Sequence, residues 1–493
     1  VVPVVKAGTT DRTDVGDPFE EFSRRIEEYR ALGVNPFSLA TGCSVKVDVL
    51  TVLYPAIRSV RGELEGLGME IAPRRDADVF PRTDGGFSTA RGIYRSEGDV
   101  EADSGALAEF SPSRAIVLAQ VHRALAEDSG ALAEYVGRIY SGVARAAPGV
   151  VVGKGHSIVT EGLEHQFMLF DYVKAEGGPS GGYVVGNNDT IQVIDPAEDP
   201  GSPGQAAAAL FNSLNDLYTL GAWRELRVIP TVDAPTDELR DRILRNLGEL
   251  SEGLGARVMD SPQPSSGALL MGATVFAETD REPPTFYDRV APGMEVMSTR
   301  PMGDLAPVNV YMMCMLDREI ADELRSQTGI GLDGLLEIKE RTMKGMATPN
   351  LAVARALEDF LPAFGEDFDP RRHVAVTTDV SGPGIYVVRE LAELARASIR
   401  LDRVPLLSPE LSEFATANYI MPNATAGTNG AIVVVADPAV LDGLESELRG
   451  AGMDPVRIGR VVSRDGPGVL APSTLGKYVA AKAYLREFDL YDA

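Results

Sequence analysis

From Asp17 to Leu32 the apolar residues Phe19, Phe22, Ile26 and Tyr29 recur three or four positions apart. That is the spacing of one helical face, and Gly33 supplies the stop. Residues 1–16 are polar and carry no such period, which predicts disorder. Val49 to Val60 is apolar enough for a buried helix or strand. From about Arg61 the pattern changes to a polar, glycine-rich stretch (Asp84 to Asp103). A helical pattern from Ser113 to Arg145 follows, broken near Ser129 and Gly130. This block, about 61–150, reads as an insertion.

Alternation then resumes. Phe167 to Val173 and Gly182 to Val185 predict a hairpin turned by the glycine-rich run 177–182, and Ile191 to Ile194 predicts a further strand. Helices are expected at Gln205 to Leu220 and Asp237 to Leu254, with strands at Arg227 to Thr231 and Ala268 to Ala277. After a proline break at Arg281 to Pro284 the same grammar returns. Strands are expected at Glu295 to Thr299, His373 to Thr378, Ile432 to Ala436 and Arg457 to Val462. Helices are expected between Ile320 and Phe360, at Ile385 to Ala397 and at Pro438 to Ala451. Alternating strands and helices make the class α/β (α+β). The expected division is a tail and helix over 1–40, an N-terminal domain over 41–282 and a C-terminal domain over 283–493, two cores being the norm for 493 residues.

Composition narrows the functional classes. A formal charge of −25 opposes binding to nucleic acid, whose phosphates it would repel. No run approaches the roughly 18 apolar residues of a membrane span, and no secretory signal is visible at the start. Cys43 and Cys314 are the two cysteines, too few for a disulfide framework or a zinc cluster, which fits a reducing cytoplasm. Lysine occurs only eight times, the other basic residues being arginine. A halophile's acidic surface and a GC-rich genome both account for that bias.

Lysine scarcity gives weight to the stretch Thr41 to Asp48, where Cys43 precedes Lys46 by three positions beside Gly42. A nearby cation lowers a thiol's pKa, and the same ammonium can clamp a phosphate. A small core cysteine beside a solvated lysine would look the same. Carboxylates recur at expected strand and helix ends: Asp189 before the strand at 191, Asp195 just after it, and Asp379 at the end of the strand from His373. Asp216 falls inside an otherwise apolar helix, where a charge needs a partner. Such carboxylates suit Mg²⁺ or Mn²⁺ bridging nucleotide phosphates, and a turn residue or helix cap is the plainer reading of Asp189 and Asp379.

Several segments together resemble selenophosphate synthetase. They are Asn212 to Gly221, Asp260-Ser-Pro-Gln-Pro264 with Gly267, Pro292 to Gly303, Val376-Thr-Thr-Asp-Val-Ser-Gly-Pro-Gly384, and Thr428 to Ala436, in that family's order. The resemblance covers Thr41 to Leu50 and about Tyr183 to Val462. It implies a two-domain fold like that of aminoimidazole ribonucleotide synthetase, usually dimeric through a sheet of the N-terminal domain. It also implies ATP and Mg²⁺ (or Mn²⁺) as cofactors, with a small anionic acceptor. By the same resemblance Cys43 and Lys46 are catalytic, and Lys46, Asn212, Asp195, Asp216 and Asp379 contact the nucleotide. Asp189, Asp216 and Asp379 hold the metal. The sequence departs from the family at Asn188-Asp189, where two aspartates are usual, and at Pro383, where phenylalanine is usual. The expected function is an ATP-dependent phosphotransferase, selenide, water dikinase-like, activating a small selenium- or sulfur-containing (or other) acceptor through a phosphorylated intermediate. The alternative is a nucleotide-binding regulatory or assembly protein without turnover.

Overall fold

A computed structural model describes residues 17–34, 70–71, 151–152, 172–174, 182–260, 263, 267, 269–316, 318–418, 420–421, 423–479, 485 and 488–492. The segment with Cys43 and Lys46, the polar residues 1–16 and nearly all of the expected insertion lie outside them. Helix α1 (Pro18–Ala31) opens the described chain, capped by the Asp17 carboxylate, which accepts from the Phe19 N–H. Its Phe22, Ile26 and Tyr29 are buried and Gly33 closes it at φ +74°. The short parallel pair β1 (Glu70–Ile71) and β2 (Val151–Val152) follows.

A five-stranded sheet comes next, ordered β3-β4-β7-β5-β6. Its elements are β3 (Tyr172–Lys174), β4 (Tyr183–Ile191), α2 (Pro203–Thr219), β5 (Arg224–Asp233), α3 (Asp237–Gly253), β6 (Arg257–Val258) and β7 (Leu270–Thr279). The hairpin expected around 177–182 is the antiparallel pair β3 and β4, with Tyr172 opposite Val185. The separate strand expected at Ile191 to Ile194 is not there. β4 runs unbroken to Ile191, so Asp189 lies inside a strand. The chain then leaves the sheet because the Gln205 side chain, on α2, takes the Ile194 N–H at 3.0 Å and donates to the Asp195 carbonyl at 2.7 Å. Gly272 of β7 allows β4 to lie close at this level: a Cβ there would stand 2.1 Å from the Asp189 carbonyl oxygen.

The rest of the chain builds a seven-stranded mixed sheet ordered β14-β13-β10-β12-β8-β11-β9. In chain order its elements are β8 (Glu295–Ser298), α4 (Leu305–Leu316), α5 (Arg318–Thr328), α6 (Leu332–Met346), α7 (Leu351–Glu358), β9 (Val376–Asp379), α8 (Val387–Ala395), β10 (Ser398–Leu401) and α9 (Pro409–Ala417). They continue with β11 (Ile432–Ala436), α10 (Pro438–Gly450), β12 (Val456–Ser463), β13 (Gly468–Pro472) and β14 (Asp489–Tyr491). The strand expected from His373 begins at Val376. Before it His373 is folded into a turn in which its Nδ1 accepts from the Asp369 N–H. Among the described residues no helix is long and apolar enough to cross a membrane.

α2 is the element both sheets share. Every residue from Gln205 to Thr219 is buried, and the run Ala206 to Ala209 keeps the helix thin enough to be enclosed. It packs on β4 and β7 of the five-stranded sheet and on α6, α7 and β9 of the other assembly. The Thr377 hydroxyl of β9 donates to the Thr219 carbonyl at its C-terminus.

A buried ion pair ties the same two assemblies together. Lys339 of α6 reaches the Asp195 carboxylate at 2.5 Å, the two side chains being 5% and 1% exposed. Burial works against the ammonium, and Asp195, with help from Glu198, outweighs it and holds the Lys339 pKa above the ordinary lysine value. The folded-state pKa being the higher one, the contribution is fully present at neutral pH. It is lost only as pH rises past the ordinary lysine range. Tyr29 of α1 joins the cluster by donating to the Glu198 carbonyl at 3.0 Å.

Breaking such a pair from one side leaves an uncompensated charge in the interior. Lys339→Met is expected to destabilise the protein by about 3–5 kcal/mol in urea unfolding, and adding Asp195→Leu should recover most of the loss. An unchanged unfolding midpoint in the single variant would contradict this account of the junction.

Candidate functional site

Strand alternation puts Asn187 and Asp189 on one face of β4, and the helical repeat puts Asn212 and Asp216 one turn apart on α2. The two faces meet. Asn187 Nδ2 donates to Asp216 and to the Ser213 carbonyl, while Asn212 Nδ2 donates to Asp189. The Ser213 hydroxyl adds a bond to the Asp189 carbonyl at 3.0 Å. The pairs are therefore crossed, each element giving one amide and receiving one. A neutral amide orients a carboxylate without bringing a charge of its own, so the pairing leaves two aimed, oxygen-bearing groups in a largely buried place.

Asp379 closes β9, opposite Ile432 of β11. Beyond it, Val380 pairs with Ala431, and the Ser381 carbonyl accepts from Gly427. The loop Thr425 to Gly430 that faces this strand end reaches α2 directly, because the Asn429 N–H donates to Asn212 Oδ1 at 3.0 Å. Asp379 thus stands beside the loop that touches the crossed pairs. Asn350, at the start of α7, ties the same loop down by donating to the Gly430 carbonyl and to Asn215 Oδ1, both at 2.8 Å. Gly430 admits no larger residue, since a Cβ there would lie 1.8 Å from the Val380 carbonyl oxygen.

The structure brings together three of the residues singled out in the sequence (Asp189, Asn212 and Asp216), with Asp379 alongside. Asp195 lies in the buried pair with Lys339, its Oδ1 accepting from the Ala197 N–H at 2.9 Å. Cys43 and Lys46 lie outside the described residues. The sequence assigned no role to Asn187, Asn350, Asn429, Arg300 or Lys339. Its only hints were the doubled asparagine at 187–188, the Thr-Asn-Gly run at 428–430 and the scarcity of lysine.

A divalent ion is the group such a site suggests. Among the described residues no set of three histidine, cysteine, aspartate or glutamate side chains is grouped to hold one. Magnesium asks for less, commonly one or two carboxylates with phosphate oxygens and water completing six positions. The Asn187 amide supports the fit: both partners of its nitrogen are acceptors, which fixes its orientation. Its Oδ1 is buried and has no hydrogen-bond partner among the described residues. The two carboxylates and this amide oxygen offer only oxygen donors, the kind that hard cations take.

No family model matches the chain, and no curated protein matches it in sequence. Among solved structures it is similar to tt0281 from Thermus thermophilus, at 19% identity over 61% of this chain and 88% of that one, with a TM-score of 0.44. It is similar also to thiamine-monophosphate kinase from Stenotrophomonas maltophilia K279a, at 16% identity over 61% and 91%, with a TM-score of 0.43. A third is the hydrogenase maturation protein HypE of E. coli, at 17% identity over 59% and 82%, with a TM-score of 0.41.

Proposed function

We propose that the chain is an ATP-dependent phosphotransferase of the aminoimidazole ribonucleotide synthetase-like superfamily, related to selenophosphate synthetase. The observation that carries the reading is the crossed arrangement of Asn187 with Asp216 and Asn212 with Asp189 between β4 and α2. Two carboxylates, each aimed by a neutral amide, suit a polyphosphate with its counter-ion. They serve an apolar substrate poorly. Phosphoryl transfer asks a protein mainly to position its reactants and balance their charge.

In this reading Asp189, Asp216 and Asp379 hold Mg²⁺ or Mn²⁺ on ATP. When bound, the ion neutralises phosphate oxygens and draws charge from the transferring group. Asn187 and Asn212 keep the carboxylates aimed, and Asp195 serves the site through the turn that it anchors to Lys339. Lys46 neutralises the phosphates, as the resemblance to selenophosphate synthetase implies. Cys43 positions a sulfide- or selenide-like acceptor through an S–H hydrogen bond, without a covalent bond to it. A homodimer and a cytoplasmic setting belong to the same proposal.

Asp216→Ala and Asp379→Ala should each remove divalent-dependent nucleotide binding while the cooperative unfolding transition persists. Calorimetric titration with ATP and Mn²⁺ measures this, and unaltered affinity in both variants would overturn the metal assignment.

Lys46→Ala should abolish phosphate release from ATP. Cys43→Ser should lose only the increment that added sulfide or selenide provides, because water needs no thiol to attack. Wild-type protein that binds ATP with Mn²⁺ and releases no phosphate under any of these conditions would favour the alternative, a nucleotide-binding protein without turnover.

A further inference from the structure

Asn429 is 1% exposed and sits at φ +45°, a left-handed conformation that asparagine tolerates better than most residues. Two separate parts of the chain hold it there. Its side-chain amide donates to the carbonyls of Met346 and Thr348 at 2.7 and 2.8 Å, at and just beyond the end of α6. Arg300 donates to its carbonyl at 2.8 Å while gripping Asp304 at 2.7 Å. Asp304 is buried, which pushes its pKa up, and the Arg300 guanidinium works in the opposite direction. With its carbonyl and its side-chain amide both engaged, the Asn429 N–H donates to Asn212 Oδ1 at 3.0 Å.

That contact holds the Asn212 amide from its oxygen end, as the Asp189 carboxylate holds it from its nitrogen end. The oxygen and nitrogen of an amide are almost the same size, so packing alone does not choose between them. A backbone N–H only donates, so the Asn212 oxygen must face Asn429, and the nitrogen is left to donate to Asp189. Turned over, the amide would set an oxygen against the carboxylate. We propose that Asn429 is a positioning residue for the metal-holding carboxylate Asp189, acting through Asn212, so that the site is set only while the loop before β11 is docked on α2. This rests on the metal reading above and adds to it that elements of the seven-stranded assembly control a ligand on the five-stranded sheet.

The test uses the full chain, Mn²⁺ and a nonhydrolysable ATP analogue. It compares wild type with Asn429→Ala, Asn429→Gly and Asp189→Asn for the Mn²⁺ concentration at half-saturation, nucleotide affinity in EDTA, and melting temperature. Partners that orient a metal ligand are worth roughly 10- to 100-fold in metal affinity, so Asn429→Ala should raise the Mn²⁺ half-saturation by about tenfold. Its metal-free nucleotide affinity should not change. Asn429→Gly, which keeps the N–H as alanine does, also accepts the positive φ, so it should shift less than the alanine variant and keeps the test open if that variant folds poorly. A lowered melting temperature with unchanged Mn²⁺ dependence in both, while Asp189→Asn abolishes that dependence, would overturn the positioning role and leave the metal reading standing. Unchanged Mn²⁺ dependence in Asp189→Asn would overturn the metal reading, and the positioning role with it.

Discussion

A helix enclosed on every side cannot leave its polar side chains to water, and α2 is such a helix. Asn212, Ser213, Asn215, Asp216 and Thr219 are all buried on it. An unpaired buried polar group costs about 1–3 kcal/mol, and a charged one more. Partners must therefore come from whatever packs against it. β4 supplies Asn187 and Asp189, α7 supplies Asn350, and the loop before β11 supplies the Asn429 N–H. The requirement that α2 be satisfied is what draws residues from distant parts of the chain into one polar junction. The candidate site lies in that junction.

The same logic explains how much can be read from the sequence. Long periodic elements, such as the helix from Asp237 and the strand Ile432 to Ala436, stand where the pattern of apolar residues puts them. Asp216 is conspicuous as a charge in an apolar helix, and the structure gives it the partner that such a charge requires. The end of β4 departs from the pattern because Val193 and Ile194 are apolar and buried like strand residues, yet the Gln205 side chain takes the Ile194 N–H that a neighbouring strand would otherwise take. Short elements without their own period, including β10, β13 and β14, are not legible. α4 is obscured by the motif directly before it.

The amides are the least visible part. Asparagine in a sequence reads as a turn residue, and nothing local separates Asn187 or Asn429 from the many that only cap loops. Their roles come from partners far away in the chain, 29 positions for Asn187 with Asp216 and 217 for Asn429 with Asn212. Lys339 is a similar case. Scarcity draws attention to lysine, but only the fold shows which one lies buried against Asp195 and joins the two sheet assemblies.

In the proposed function the crossed pairs hold two carboxylates ready for a cation on a nucleotide. Crystals grown with Mn²⁺ and a nonhydrolysable ATP analogue address it directly, through anomalous scattering from manganese. The expected result is a manganese peak in contact with Asp189 or Asp216, with phosphate oxygens in its coordination sphere. Nucleotide bound elsewhere on the chain, with Asp189 and Asp216 contacting only their asparagine partners, would contradict it.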